Sequence, residues 1–101
     1  MPYITLDQRD MYDCDIDEIV DSLSKAKEQD VPGHLNYIIF TIVYRFLKKK
    51  GIRYHRLNYL LGAIQCCWAE IYRRLAAPYE NKAADKNGDI DDLGDEKEER
   101  L

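Results

Sequence analysis

The densest grouping of residues able to do chemistry lies between positions 70 and 82, where Glu70, Arg73, Arg74, Tyr79, Glu80 and Lys82 fall within one short stretch. Guanidinium forks bind phosphate and carboxylate bidentately, and tyrosine rings stack on bases, so one reading is an anion clamp for a nucleotide-like small molecule. Two Leu-Asn-Tyr triplets, at Leu35-Asn36-Tyr37 and Leu57-Asn58-Tyr59, could add base-edge hydrogen bonds and aromatic faces. The candidate ligand-binding residues are therefore Asn36, Tyr37, Asn58, Tyr59, Glu70, Arg73, Arg74, Tyr79 and Lys82. The competing reading is a surface ion pair. Glu70 and Arg74 stand at i and i+4 in the favourable order, an arrangement worth roughly 0.2–0.5 kcal/mol.

No catalytic constellation accompanies this face. His34 and His55 fall at helix starts, no nucleophile motif is present, and no pair is placed for general acid–base work. A non-enzyme is expected, without cofactor. Asp85-Lys86-Asn87-Gly88-Asp89, with Glu96 at the twelfth position, copies part of an EF-hand loop. Ile90 stands where that loop needs its glycine, and Asp92 replaces the usual apolar residue, so no metal site is expected. The acids Asp7, Asp10, Asp13, Asp15, Asp17, Glu18 and Asp21 hold a single Glu-x-x-Asp pair, Glu18 with Asp21, and no second pair answers it as a helical pyrophosphohydrolase would require. Cys14, Cys66 and Cys67 lack Cys-x-x-Cys spacing. Their odd number predicts reduced thiols buried as small hydrophobes.

Charge narrows the partners. The net charge is −4, but residues 89–101 hold seven acids and two bases, a charge of −5 that leaves +1 for the rest. Bases gather between positions 45 and 56 and at Arg73 and Arg74. The acidic balance argues against binding duplex nucleic acid. With 46% apolar residues and a mean hydropathy of −0.56, the chain reads as globular. Its longest nearly uncharged run, residues 33–44, is too short for a bilayer, and Met1-Pro2-Tyr3-Ile4-Thr5 lacks the features of a signal peptide. A cytoplasmic location without membrane contact is expected.

Helices must position these residues. Thr5-Leu6-Asp7-Gln8 fits a capping box opening a short helix to about Met11. A second helix starts near Asp13 or Asp15 and turns Ile16, Ile19, Val20 and Leu23 to one side, with Lys25 and Lys27 near its end. Asp30-Val31-Pro32-Gly33 reads as a break. From His34 to Lys50, Leu35, Ile38, Ile39, Ile42, Val43, Phe46 and Leu47 recur at helical spacing, and Tyr37, Phe40 and Tyr44 make the helix apolar nearly all round. Residues 38–44 also suit a strand, but the run is too long for an ordinary one. Gly51 ends the helix, and the next begins near Tyr54 or His55. There Leu57, Leu60, Leu61, Ile64, Trp68, Ile71 and Leu75 form a long apolar stripe. A second stripe, Asn58, Gly62, Cys66, Ala69 and Arg73, is small enough in its middle for another backbone to approach. Pro78 predicts a kink or restart, and Asn87-Gly88 predicts the stop. The fold expected is all-α: a small bundle of three main helices with a long kinked C-terminal helix, a single domain over residues 1–90 and an acidic tail over 91–101.

Met1-Pro2-Tyr3-Ile4, Gly33-x-Leu35-Asn36-Tyr37, Asn58 with Gly62, Glu70-x-Tyr72-Arg73-Arg74, Pro78-Tyr79-Glu80-x-Lys82 and Asn87-Gly88-Asp89 together resemble a family of short uncharacterised proteins of bacteriophage and prophage type. The resemblance covers roughly residues 1–90, and its C-terminal block is the most specific part. It implies a phage-type accessory protein in the host cytoplasm and assigns no catalytic residue. The functional expectation is a small helical homo-oligomer that binds, and in counter-defence sequesters, a nucleotide-like molecule. The alternative is a non-enzymatic structural or protein–protein interaction module.

Overall fold

The computed structural model describes residues 3–91. It is all-α, as the periodicity requires, with no strand among the described residues. The chain divides into two units, Met1–Gly51 and Ile52–Leu101. The acidic tail expected over 91–101 lies, from residue 92 onward, outside the described residues.

In the first unit, helix α1 (Leu6–Arg9) is set by its capping box. The Gln8 amide donates to Thr5 Oγ1 at 3.2 Å, and Gln8 Oε1 accepts from the Thr5 amide at 2.9 Å. Two otherwise unpaired donors of the first turn are thereby satisfied. Helix α2 (Asp13–Ser24) places Asp13 and Asp15 in its first turn, at the positive end of its dipole. Ser24 Oγ donates to the Asp21 carbonyl at 2.8 Å.

A 3-10 turn, Glu28–Asp30, leads directly into α3 (Val31–Lys50). The break expected at residues 30–33 therefore falls earlier, and α3 begins before His34. Pro32 sits in the first turn, where a missing N–H is no loss and its fixed φ already suits a helix. Gly51 closes α3 at φ 98°, its amide donating to the Leu47 carbonyl at 2.7 Å. Its positive φ explains the glycine, and Lys48, Lys49 and Lys50 suit the negative end of the dipole. On α3, Phe40 stacks on Tyr44 with centroids 6.1 Å apart, and Lys48 Nζ lies 5.7 Å from the Tyr44 ring centre. Leu47, 5% exposed, is the one buried apolar side chain among the described residues.

In the second unit, α4 (Tyr54–Ile71), a π turn (Tyr72–Ala76) and α5 (Ala77–Asn87) follow one another without a break. Pro78 does not end the helix. It carries no N–H, and in an α-helix its ring would meet the carbonyl four residues back, that of Arg74. The π turn widens the backbone at that point, and the Ala77 amide reaches back five residues to the Tyr72 carbonyl. The expected kink or restart is thus replaced by one wide turn. Gly88, at φ 90°, stops α5, its amide donating to the Ala84 carbonyl at 2.9 Å. Among the described residues, no helix is long and apolar enough to cross a membrane.

Candidate functional site

Of the nine residues singled out by type, the structure joins three. Glu70 lies in the last turn of α4, and Arg73 and Arg74 lie in the π turn. Arg73 Nη2 donates to Glu70 Oε1 at 2.7 Å, and Arg74 Nη1 lies 3.9 Å from Glu70 Oε2. One carboxylate therefore faces two guanidinium groups, which leaves one positive charge in excess. The Glu70 side chain is 20% exposed, whereas that of Arg73 is 69% exposed. The arginines present to solvent while the acid that organises them sits lower. Tyr79 and Lys82 lie further along, both on α5 and both exposed. Asn58 and Tyr59 are near the start of α4, three turns from Glu70 along the helix. Tyr59 meets the His55 ring edge-on at 6.3 Å. Asn36 and Tyr37 are on α3, in the other unit.

Beside the arginines is an aromatic pair outside the nine candidate residues. Trp68 and Tyr72 stack with centroids 5.6 Å apart and planes inclined by 11°. Trp68 belongs by spacing to the apolar stripe of α4, yet it is 68% exposed. The i, i+4 spacing of two aromatics across Glu70 was the available signal. Trp, Tyr and Arg are the residue types that dominate binding energy at protein interfaces. Stacked rings beside a cation also suit a base and its phosphate. Both chemistries are open to the 68–74 segment, and an anion would have to compete with Glu70 for the guanidinium groups.

A second feature belongs to the first unit. Ser22, Leu23, Gly33, His34, Tyr37 and Ile38 line an open cleft of about 390 Å³ between α2 and α3. Of the candidate ligand-binding residues it includes only Tyr37.

The thiols differ from expectation. Cys14, Cys66 and Cys67 are reduced but exposed rather than buried. Cys14 sits on α2, where Leu23 alone is even half-buried, and the faces of α4 that carry Cys66 and Cys67 are uncovered. Asp85 and Asn87 are within α5, so the EF-hand-like run starts as helix and not as a ligand loop; Asp92 and Glu96 of that run lie outside the described residues. No group of three or more potential ligands among the described residues could hold a metal ion.

The family DUF6899, a domain of unknown function, matches residues 1–90. The chain belongs to this family. The matched stretch contains both helical units' described elements and all nine candidate residues. No curated protein is measurably similar to the chain, and neither is any solved structure.

Proposed function

We propose that the protein is a non-enzymatic interaction module that works by self-association or by docking a partner, in the setting of a phage-type accessory protein. One observation carries this reading. Large apolar side chains are exposed along both long helices, among them Tyr37, Phe40 and Ile42 on α3 and Leu61, Trp68 and Ile71 on α4, while Leu47 alone is buried among the described residues. Apolar side chains left in water contribute nothing to folding, and contiguous stripes of them are the usual mark of an interface. Light scattering over a hundredfold range of concentration tests this. A particle heavier than the 11.9 kDa chain is expected. An 11.9 kDa particle at every concentration, with no protein partner bound, overturns it.

A second reading has its own support: the exposed guanidinium group of Arg73 next to the Trp68–Tyr72 stack. The same module would then hold a nucleotide-like molecule, and counter-defence by sequestration is the role that this binding would serve. Thermal melting with a panel of cyclic and adenosine-containing nucleotides tests it, since a ligand that binds the native state alone raises the melting temperature. No rise across the panel overturns the nucleotide reading and leaves the interaction reading standing.

A further inference from the structure

Helix α2 holds five acids, Asp13, Asp15, Asp17, Glu18 and Asp21, and no base. Helix α3 holds four bases, Arg45, Lys48, Lys49 and Lys50, and no acid. Among the described residues no ion pair engages the α2 acids, nor Arg45, Lys48 or Lys49. Both helices also show water an apolar stripe. On α2 it is Ile16, Ile19 and Val20, on α3 it is Leu35, Ile39, Ile42 and Phe46, and each of these side chains is between 37% and 58% exposed. At about 100° per residue, Asp15 and Asp17 border the α2 stripe on opposite sides, and Arg45 and Lys49 border the α3 stripe. The two helices of one copy meet at one end only. Along α2, Leu23 alone is half-buried, where it shares the cleft with Gly33, His34, Tyr37 and Ile38. We propose that α2 of each copy docks on α3 of a second copy, so that two chains exchange their acidic helices. The inference rests on the interaction reading and names its partner and its surface.

Charge and reciprocity select the occupant. Pairing α2 with α2 sets five acids against five, and pairing α3 with α3 sets four bases against four, so each helix rejects its own kind. Acidic α2 on basic α3 matches in sign as well as in apolar face. A foreign protein that covered both surfaces would need a basic and an acidic apolar-faced helix side by side. A second copy of this chain supplies both, and the exchange repeats itself about a two-fold axis. Asp13 and Asp15 lie in the first turn of α2, and Lys48, Lys49 and Lys50 in the last turn of α3. The charges therefore meet when the docked helices run antiparallel, which also sets opposite dipole ends side by side. The chain's own α2 does not do this, because it stays beside α3 only at its last turn and keeps Ile16 and Val20 in water. The exchange uses the first unit alone, and any contribution of the α4 face around Trp68 comes on top of it.

Two charge-reversed variants of the full chain test this. One is Asp15→Lys with Asp17→Lys, on α2, and the other is Arg45→Glu with Lys49→Glu, on α3. All four positions are exposed. Each variant alone sets like charges together in both docked pairs, and its dimer dissociation constant is expected to rise by at least about tenfold. An equimolar mixture is expected to recover the native constant, because a mixed pair sets lysines against glutamates at one contact and native acids against native bases at the other. One chain with all four reversals is expected to pair like the native one, which shows that the substituted helices fold. Sedimentation equilibrium reads each constant. Variants that dimerise as the native chain does, or a mixture no tighter than its parts, overturn the exchange and leave self-association intact. A native chain that stays at 11.9 kDa at every concentration removes both.

Discussion

Replacing Trp68 by alanine separates what this side chain does within one copy from what it does between copies. Removing a fully buried tryptophan costs about 3–5 kcal/mol. Trp68 is 68% exposed, so roughly a third of that, about 1–1.5 kcal/mol, is the expected cost to a single copy. Under the self-association proposed above, the remainder, about 2–3 kcal/mol per copy, would be lost on pairing through this face, and a symmetric pair would lose it twice. At about 1.4 kcal/mol per tenfold, Trp68→Ala should raise the dimer dissociation constant by roughly three to four powers of ten. Sedimentation equilibrium across a dilution series reads that constant, and urea melting at a concentration where the chain is monomeric reads the first part. A dissociation constant moved by less than tenfold refutes the reasoning. So does a monomer destabilised by the full amount for a buried tryptophan, which would mean that the side chain is covered within its own copy.

Three further changes probe other features. Gly62 sits mid-helix with nothing within 4 Å of an added Cβ, so Gly62→Ala should stabilise the chain by up to about 1 kcal/mol, read as a rise in melting temperature; a fall would mean that another backbone packs on the small-residue stripe. Thr5→Ala removes the hydroxyl that accepts from the Gln8 amide and should cost about 1 kcal/mol, seen as faster hydrogen exchange at Gln8; unchanged exchange would count against the capping box. Glu70→Gln should cost less than about 1 kcal/mol in stability, because the arginines it holds are exposed. It should tighten any phosphate binding at Arg73, measured by titration calorimetry, and an unchanged or weaker affinity argues against a competing clamp.

How much was legible in the sequence follows from the range over which each signal acts. The capping box at Thr5 and Gln8, the stops at Gly51 and Gly88 and the start at Tyr54 are all found where expected, since each depends on a few neighbouring residues. Residues 38–44 are helical despite their β propensity because the apolar spacing runs from Leu35 to Leu47, more than three turns of α3. Both prolines depart from what their residue type suggests, since Pro32 makes no break and Pro78 no restart. A proline is harmless in a first turn, and a single wide turn absorbs one further along. The cysteines show the limit of composition. Thiols are usually buried, but whether a given face is covered depends on what packs against it, and α2 and α4 leave theirs open. Of the site, only the Glu70 cluster was readable, because i+3 and i+4 neighbours meet on any helix. Residue type alone could not relate Asn36 or Asn58 to it.

The π turn has a consequence for how this helix addresses its surroundings. One surplus residue in an α-helix rotates everything downstream by about 100°. A line drawn along α4 through Leu61 and Trp68 is therefore not continued by the residues of α5 that heptad counting would name. The stretch behaves as two half-length tools on a common shaft, each aimed its own way. Deleting a single residue between positions 72 and 76 would swing Tyr79 and Lys82 round by about 100° relative to α4, so the length of this turn fixes which way the two stretches face.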